Sequence, residues 1–460
     1  MLGGRDLHWW ALLGSIIATE TSTVTFLSVP GLAYFGNFTF LQLSLGYFLG
    51  RVLVVVLLLP HYFRGEMYSA YEVLSRRFGG AVRKVASVLF MITRTLADGL
   101  RIFLTAIPVQ IVTGLDQATS VVIVGLTSIA YTCFGGIKSV VWTDCLQFVT
   151  YILAALVALA MLVGGLPGGW HELTTFATDN HKWTMFDLSF DPREKYTLWA
   201  GVIGGAFLSL TTHGADQMMV QRYLCARNQG AAARAIVASG IVVFAQFALF
   251  LLIGVALACF YARFPHNPPF VSQPPPGDGD KVLAAFIVEH LPPGLVGLTL
   301  AAIFAAAMSG SLNSSAAALI HDFYLPLCKS PLAPAHELRL GRWMSVLFGL
   351  AQIAVGIAGQ WLTSSIINEV MAIAGFTTGI ILGVFFLGVL PVPASRRGAL
   401  VGMVTGLAVM TYVKFGTPLA WPWYSVVGSG TTFLTGWIAS LALPDEPANA
   451  GGANAIAASE

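Results

Sequence analysis

Charge is scarce in this sequence. Only 10% of its 460 residues are Asp, Glu, Lys or Arg and 56% are hydrophobic, against about 25% charged residues in soluble globular domains, so a water-soluble fold is excluded. Basic and acidic residues nearly cancel, 24 Lys and Arg against 22 Asp and Glu, and nothing in that balance points to nucleic acid. Cysteine is equally sparse. Cys133, Cys145, Cys225, Cys259 and Cys328 lie in or beside apolar runs, with no CxxC and no Cys/His grouping; this argues against a disulfide framework or a zinc site and leaves small apolar fillers. The nine histidines are scattered mainly towards span ends and loops, with no HExxH and no cluster suited to metal or nucleophilic chemistry, so the chain does not read as an enzyme. No small-residue cleavage site follows a short apolar stretch after MLGGRD, and the first apolar run is expected to be a membrane span, not a removed signal.

What the sequence has is long hydrophobic runs and 48 glycines, a level that membrane helices tolerate. Crossing a hydrocarbon core of ~30 Å takes about 20 apolar residues. Runs of that order fall at 7–34, 38–60, 84–113, 118–135, 139–165, 197–215, 233–262, 294–321, 339–360, 366–391, 397–415 and 421–443. The expectation is an all-α integral membrane protein of about twelve transmembrane helices, forming one transmembrane domain over 1–443 and followed by a disordered cytoplasmic tail, 444–460. Basic residues divide 15 to 6 between alternate connections, with Arg51, Arg94 and Arg101 inside spans. That bias places both termini in the cytoplasm and suits an even number of spans in the cell's inner membrane. The segments 166–196 and 263–293 are then external, and PPFVSQPPPGDGD reads as an extended, proline-stiffened loop.

Ionisable residues inside a bilayer are costly and normally face a cavity or a partner. In SIIATETSTVTF, Glu20 stands among Thr19, Thr21, Ser22, Thr23 and Thr25. That density of hydroxyl and β-branched side chains weakens a helix, and an unwound turn would free carbonyl oxygens for a hard cation. The alternative has the hydroxyls bonded back to their own helix and Glu20 near an interface. In TRTLADGLRIF, Arg94 and Asp98 are spaced i,i+4 and Asp98 and Arg101 i,i+3, so the three share one helix face. One arginine can be neutralised by Asp98, and the other is left as a fork for a substrate carboxylate; the alternative is a purely structural network. GGIKSVVWTDCLQ carries Asp144 and Gln147 into a helix, where the carboxylate could serve a cation or hold a neighbouring helix. AAIFAAAMSGSLNSSAAALIHDFY is rich in small residues that permit close helix packing, or a Ser hydroxyl there could face sodium. His213 is a candidate pocket residue, or else a hydrogen-bonded interface histidine.

Taken together, GRDLHWWALLGSIIATETS, LQLSLGYFLGR, GGIKSVVWTDCLQ, GADQMMVQRYL and AAIFAAAMS with LNSSAAALIHDFY resemble the sodium:solute symporter family over nearly the whole chain. The resemblance implies the leucine-transporter-type architecture, with two inverted five-helix repeats (about 7–165 and 197–391) and peripheral helices over 397–443. It implies a sodium ion between the first and eighth core helices. The ion is held by the carbonyls of Ala18 and Thr21 on one side and by the Ala306 carbonyl and Ser309 on the other, with Gly310 at the usual second hydroxyl position. Aligned instead on LNSS, Ala306 and Ala307 take the hydroxyl positions. Asp144 matches a family acid near the sodium pathway and, in some members, a second sodium.

The positions that would line the solute site are Thr19, Glu20, Thr25, Arg101, Ser209, Thr212 and His213. The aromatic inner gate of sugar carriers is missing, which argues against a glucose-like solute. TSTVTFLSVPG and VQIVTGLD look more like members that move small anions and carboxylates, and Arg94 with Asp98 corresponds to a basic–acid pair of structural or gating use. The implied activity is sodium-coupled import of a small organic solute, with a carboxylate or another organic anion as the expected class, by alternating access. Sodium is the co-transported ion, with no organic cofactor and no obligate protein partner. A solute sensor without net flux is the alternative.

Overall fold

The computed structural model describes residues 7–63, 70–134, 137–272, 278–307, 311–328, 333–362 and 365–445, and of 70, 72–73, 133–134, 137–145, 305–307 and 334–335 only the backbone. Among these residues there is no strand. Helix is the element that satisfies every backbone group within its own segment, as lipid requires of an open chain. In chain order the helices are α1 (Trp9–Glu20), α2 (Thr23–Phe35), α3 (Gln42–Leu53), α4 (Leu59–Phe63), α5 (Ala70–Phe78), α6 (Gly80–Thr113), α7 (Gln117–Phe134), α8 (Ile137–Gly165), α9 (Gly169–Asp179) and α10 (Gly205–Gly214). The second half holds α11 (Gln217–Leu224), α12 (Gln229–Arg263), α13 (Gly279–His290), α14 (Pro293–Ala307), α15 (Ser311–Leu319), α16 (Pro334–Ala358), α17 (Ile366–Val389), α18 (Arg396–Gly416) and α19 (Tyr424–Ala442). Helix lies along each of the twelve apolar runs. Among the described residues seven helices are long and apolar enough to cross a bilayer, and the bent pair α1–α2 makes an eighth. The chain is a multi-pass membrane protein. Side chains on α8 show where lipid lies: Leu146, Val149, Leu153 and Leu156, one helix face, are 68%, 51%, 53% and 48% exposed.

The first span breaks where the hydroxyl run predicts. Thr21 (φ −77°, ψ 76°) and Ser22 (φ −88°, ψ 169°) leave helical geometry, and the two halves meet at a 62° bend. The sixth run is also discontinuous. An i→i+5 turn at Ala200–Gly204 leads into α10, and the chain then turns at Ala215 and Asp216 into α11. Turns of this kind are common next to functional sites.

Close helix approach is set by small residues. Gly46 on α3 lies so near α10 and its leading turn that a Cβ there would sit 2.1 Å from the Gly201 carbonyl oxygen. The bent pair packs on α12, α8 and α13, α10 packs on α3 and α17, and α18 and α19 pack on each other and on α17. The two long connections, 166–196 and 263–293, are not loop throughout. The second carries α13, whose Asp280 accepts a hydrogen bond from the Ile366 backbone N–H at the start of α17 (3.1 Å). The first delivers the Lys182 ammonium to the carbonyls of Ala33 (3.3 Å), Tyr34 (2.7 Å) and Gly36 (2.9 Å). That cation caps the C-terminus of α2, where carbonyls are unsatisfied and the helix dipole is negative.

Candidate functional site

A cavity of about 160 Å³ opens beside the α1–α2 break. Its polar wall holds Thr19, Glu20, Ser22 and Thr25 from the bent span, Thr93, Arg94 and Arg101 from α6, Ser209, Thr212 and His213 from α10, Asp216, and Thr378 from α17. Its apolar lining includes Met218, Met219, Val243, Phe247, Val370 and Met371, and Tyr47 also lines it. All seven residues expected to line the solute site are in this one cavity, and so is Arg94. The small volume, about half the ~300 Å³ at the lower end for drug-sized ligands, suits a compact solute.

Glu20 is the last helical residue of α1, and its charge is met from two sides. The Arg51 guanidinium, fully buried on α3, donates through Nη2 to Oε1 at 2.6 Å and Oε2 at 2.5 Å. His213 Nε2 lies 2.5 Å from Oε1, and its Nδ1 lies 2.6 Å from the Tyr223 hydroxyl. An ionised carboxylate only accepts, so Nε2 carries the proton and Nδ1 accepts from Tyr223. Arg51 Nε in turn donates to Ser239 Oγ at 3.0 Å. Glu20 is therefore a paired wall residue of the cavity, not an interfacial one. The back-bonding alternative holds for two of its neighbours: the Thr19 hydroxyl donates to the Ser15 carbonyl (2.7 Å) and Thr25 to the Glu20 carbonyl (3.2 Å). Ser209 donates to the Tyr47 carbonyl (2.9 Å).

The arginines on α6 pair differently from the sequence expectation. Arg101 forms its ion pair with Asp98 (2.9 Å), and Arg94 pairs with Asp216 at the α10–α11 turn. Neither guanidinium is left over, and the Arg94–Asp98 pair is replaced by one that ties α6 to α11. The reason is the turn after α10, which the spacing along α6 cannot reveal: it places Asp216 as N-cap of α11, accepting from the Met218 N–H (2.8 Å), within reach of Arg94.

At the break, Ser22 N–H is drawn to the Glu20 carbonyl (2.9 Å), and among the described residues the Ala18 and Thr21 carbonyls accept no backbone hydrogen bond. The Thr21 hydroxyl donates to Gln246 Oε1 on α12 (2.8 Å). Thr23 Oγ1 lies 3.4 Å from the Ile303 carbonyl on α14, which connects the bent span to the helix that ends with Ala306 and Ala307. Ser309 and Gly310 lie outside the described residues, as does the Asp144 side chain. Arg51, Asp216, Tyr223 and Gln246 were given no role by the sequence reading. A charge account of the spans would have flagged Arg51, since a buried arginine demands an acid and a mid-span Glu20 demands a base.

The sodium:solute symporter family model matches residues 1–406. The chain belongs to that family. It is 32% identical over 425 residues to the Homo sapiens sodium/iodide cotransporter, covering 91% of this chain and 65% of that one. To the Bos taurus sodium-coupled monocarboxylate transporter 2 it is 29% identical over 430 residues, 90% and 67% of the respective chains. This symporter thus spans about two thirds of the length of those relatives. The solved structure of a substrate-bound, outward-open Na⁺-coupled sialic acid symporter superposes with a TM-score of 0.83 at 28% identity, covering 96% of this chain and 91% of that one. The architecture is the leucine-transporter type. Family membership also makes the chain a transporter, not an enzyme.

Proposed function

We propose that this symporter imports a small organic anion, a carboxylate by preference, together with sodium. The observation that carries the reading is the single cavity at the helix break, into which the guanidinium-bearing side chains of Arg94 and Arg101 both project. Arginine presents a planar fork matched to carboxylate. The relatives' cargoes, iodide, monocarboxylates and sialic acid, are all anions.

The sodium ion is assigned to the Ala18 and Thr21 carbonyls, the Ala306 carbonyl and Ser309, with Asp144 on its pathway. The free carbonyls at the break and the Thr23–Ile303 approach support that assignment. Sodium there pins the bent span to α14 and completes the cavity wall. Coupling follows if the ion favours the solute-competent conformation, because a ligand with equal affinity for all states shifts nothing. The two repeats, about 7–165 and 197–391, would rock about this site, in the cell membrane with both termini cytoplasmic.

The test is uptake of labelled monocarboxylates, sialic-acid-like acids, amino acids and sugars into proteoliposomes, with and without an inward sodium gradient. Sodium-dependent uptake of an acid, weakened by Arg101→Ala, is the expected result. Uptake that ignores sodium, or binding without flux for every class, would sink the proposal.

A further inference from the structure

We propose that the groove between α8 and α12 is a binding site for one acyl chain of a bilayer lipid, and that the bound chain steadies Gln246 behind the sodium side of the helix break. The second half of this inference rests on the assignment of sodium to that break.

The groove has a volume of about 340 Å³ and is lined by Val149, Ile152 and Leu153 of α8 and by Ala245, Gln246 and Leu249 of α12, among others. It lies at mid-membrane depth, since Gln246 is the central residue of the 35-residue α12. Its lining on α12 runs over two turns, from Val242 to Leu249, or about 10 Å. Each leaflet contributes about half of the ~30 Å hydrocarbon core, so the groove takes the end of one chain and lies out of reach of the headgroup. The small side chain of Ala245, one turn from both Val242 and Leu249, keeps the gap between the helices open.

The groove continues the lipid-facing side of α8. Val149 and Leu153, 51% and 53% exposed, belong to both surfaces, and hydrocarbon is what lies against them. An empty gap would forfeit dispersion contacts along both walls, and water in an apolar gap would lack polar partners. A hydrocarbon chain supplies the contacts and brings no polar group that must be desolvated.

Gln246 gives the groove a consequence. Among the described residues it is the one polar side chain of the lining, and it is only 3% exposed. Its Oε1 accepts from the Thr21 hydroxyl at 2.8 Å. Because α1 packs on both α8 and α12, the break lies directly behind the groove, and the groove and the assigned ion site are the two sides of one hydrogen bond. Hydrocarbon in the groove keeps the surroundings apolar and strengthens that bond, whereas water there would compete for the amide and let Thr21 turn. Bound chain and bound sodium favour the same arrangement of Thr21, so each raises the affinity for the other by the same factor.

The site can be read with a phosphatidylcholine that carries a diazirine near the end of one acyl chain, in nanodiscs holding the full-length chain. Illumination should place adducts on the groove residues of α8 and α12 in excess of those on Leu146 and Leu156 of the open lipid face. Ala245→Trp, whose ring fills the groove, should remove the excess, and Leu249→Trp serves if Ala245→Trp does not fold. Equal labelling of groove and open face, unchanged by either variant, overturns the proposal. For the coupling, the protein is held in a fluorinated surfactant, whose chains mix poorly with hydrocarbon. Added phosphatidylcholine should lower the sodium concentration for half-maximal ²²Na⁺ binding by a factor of about 2 to 10, the worth of one neutral hydrogen bond. Phosphatidylglycerol with the same chains should act alike. Ala245→Trp should remove this response by plugging the groove, and Thr21→Val by deleting the hydroxyl while keeping the carbonyl. A response that follows the headgroup, or one that persists in Thr21→Val, refutes the coupling. Absence of ²²Na⁺ binding under every condition counts against the sodium assignment alone, since the adducts still report on the groove.

Discussion

Glu20 is tolerated in the middle of a membrane protein because Arg51 and His213 are there to meet it, and Arg51 is tolerated because of Glu20. Each is a liability without the other. Removing one partner of a buried pair leaves an uncompensated charge and costs about 3–5 kcal/mol. Arg51→Met is therefore expected to lower the melting temperature of the detergent-solubilised protein sharply, and Arg51→Met with Glu20→Gln to recover part of the loss. An additive double variant would show that the two side chains do not act as a pair. Arg101 and Asp98 form a second such unit. Arg101→Ala is expected to weaken carboxylate uptake mainly through affinity, read as a raised half-saturation concentration, because the fork contacts a cargo that is itself unchanged by transport. Ser309 supplies the side-chain ligand in the proposed sodium site. Ser309→Ala is expected to raise the sodium concentration needed for half-maximal uptake, and unaltered sodium dependence would refute that assignment.

At the scale of elements, two devices hold the site open to chemistry while the rest of the bundle stays closed-packed. One is the break between α1 and α2. It exposes the Ala18 and Thr21 carbonyls, and the α2 half that leads away from it is capped at its far end by the Lys182 ammonium. Lys182→Met removes a charged donor to three carbonyls. Hydrogen bonds to charged groups contribute about 1.5–3 kcal/mol, so a loss of that order in thermal stability is expected, with arginine at the same position restoring part of it. The other device is the glycine seam between α3 and the α10 segment. A methyl group at Gly46 would meet backbone atoms, 2.1 Å from the Gly201 oxygen and 2.7 Å from the Val202 oxygen, which cannot rotate aside. Overpacking of this kind costs about 1–3 kcal/mol or more. Gly46→Ala should lower both melting temperature and uptake, since α3 carries Arg51 and α10 carries His213.

For the whole molecule, the distinguishing quantity is the charge moved per cycle. One sodium with one monovalent anion is electroneutral, whereas two sodium ions with one anion move a net positive charge. A potential of 100 mV then adds about 2.3 kcal/mol, roughly fifty-fold in accumulation. Imposing an inside-negative potassium diffusion potential on proteoliposomes is accordingly expected to leave the accumulated monocarboxylate unchanged if the one assigned sodium is all that moves with it, and a raised accumulation would show that further positive charge enters per cycle. The membrane class, the helix along each apolar run, the break in the first span and the polar residues Glu20, Arg94 and Arg101 as ones that need a cavity or a partner followed from the sequence by itself. Those features are local: hydrophobic length, hydroxyl density and a polar side chain in an apolar span each state their consequence within a few residues. The partners were decided by the tertiary structure alone. Arg51 lies 31 residues from Glu20, His213 is 193 residues from it, and Asp216 is 122 residues from Arg94. Ion pairing in lipid depends on which buried charges the packed bundle brings into contact, and spacing along one helix cannot express that.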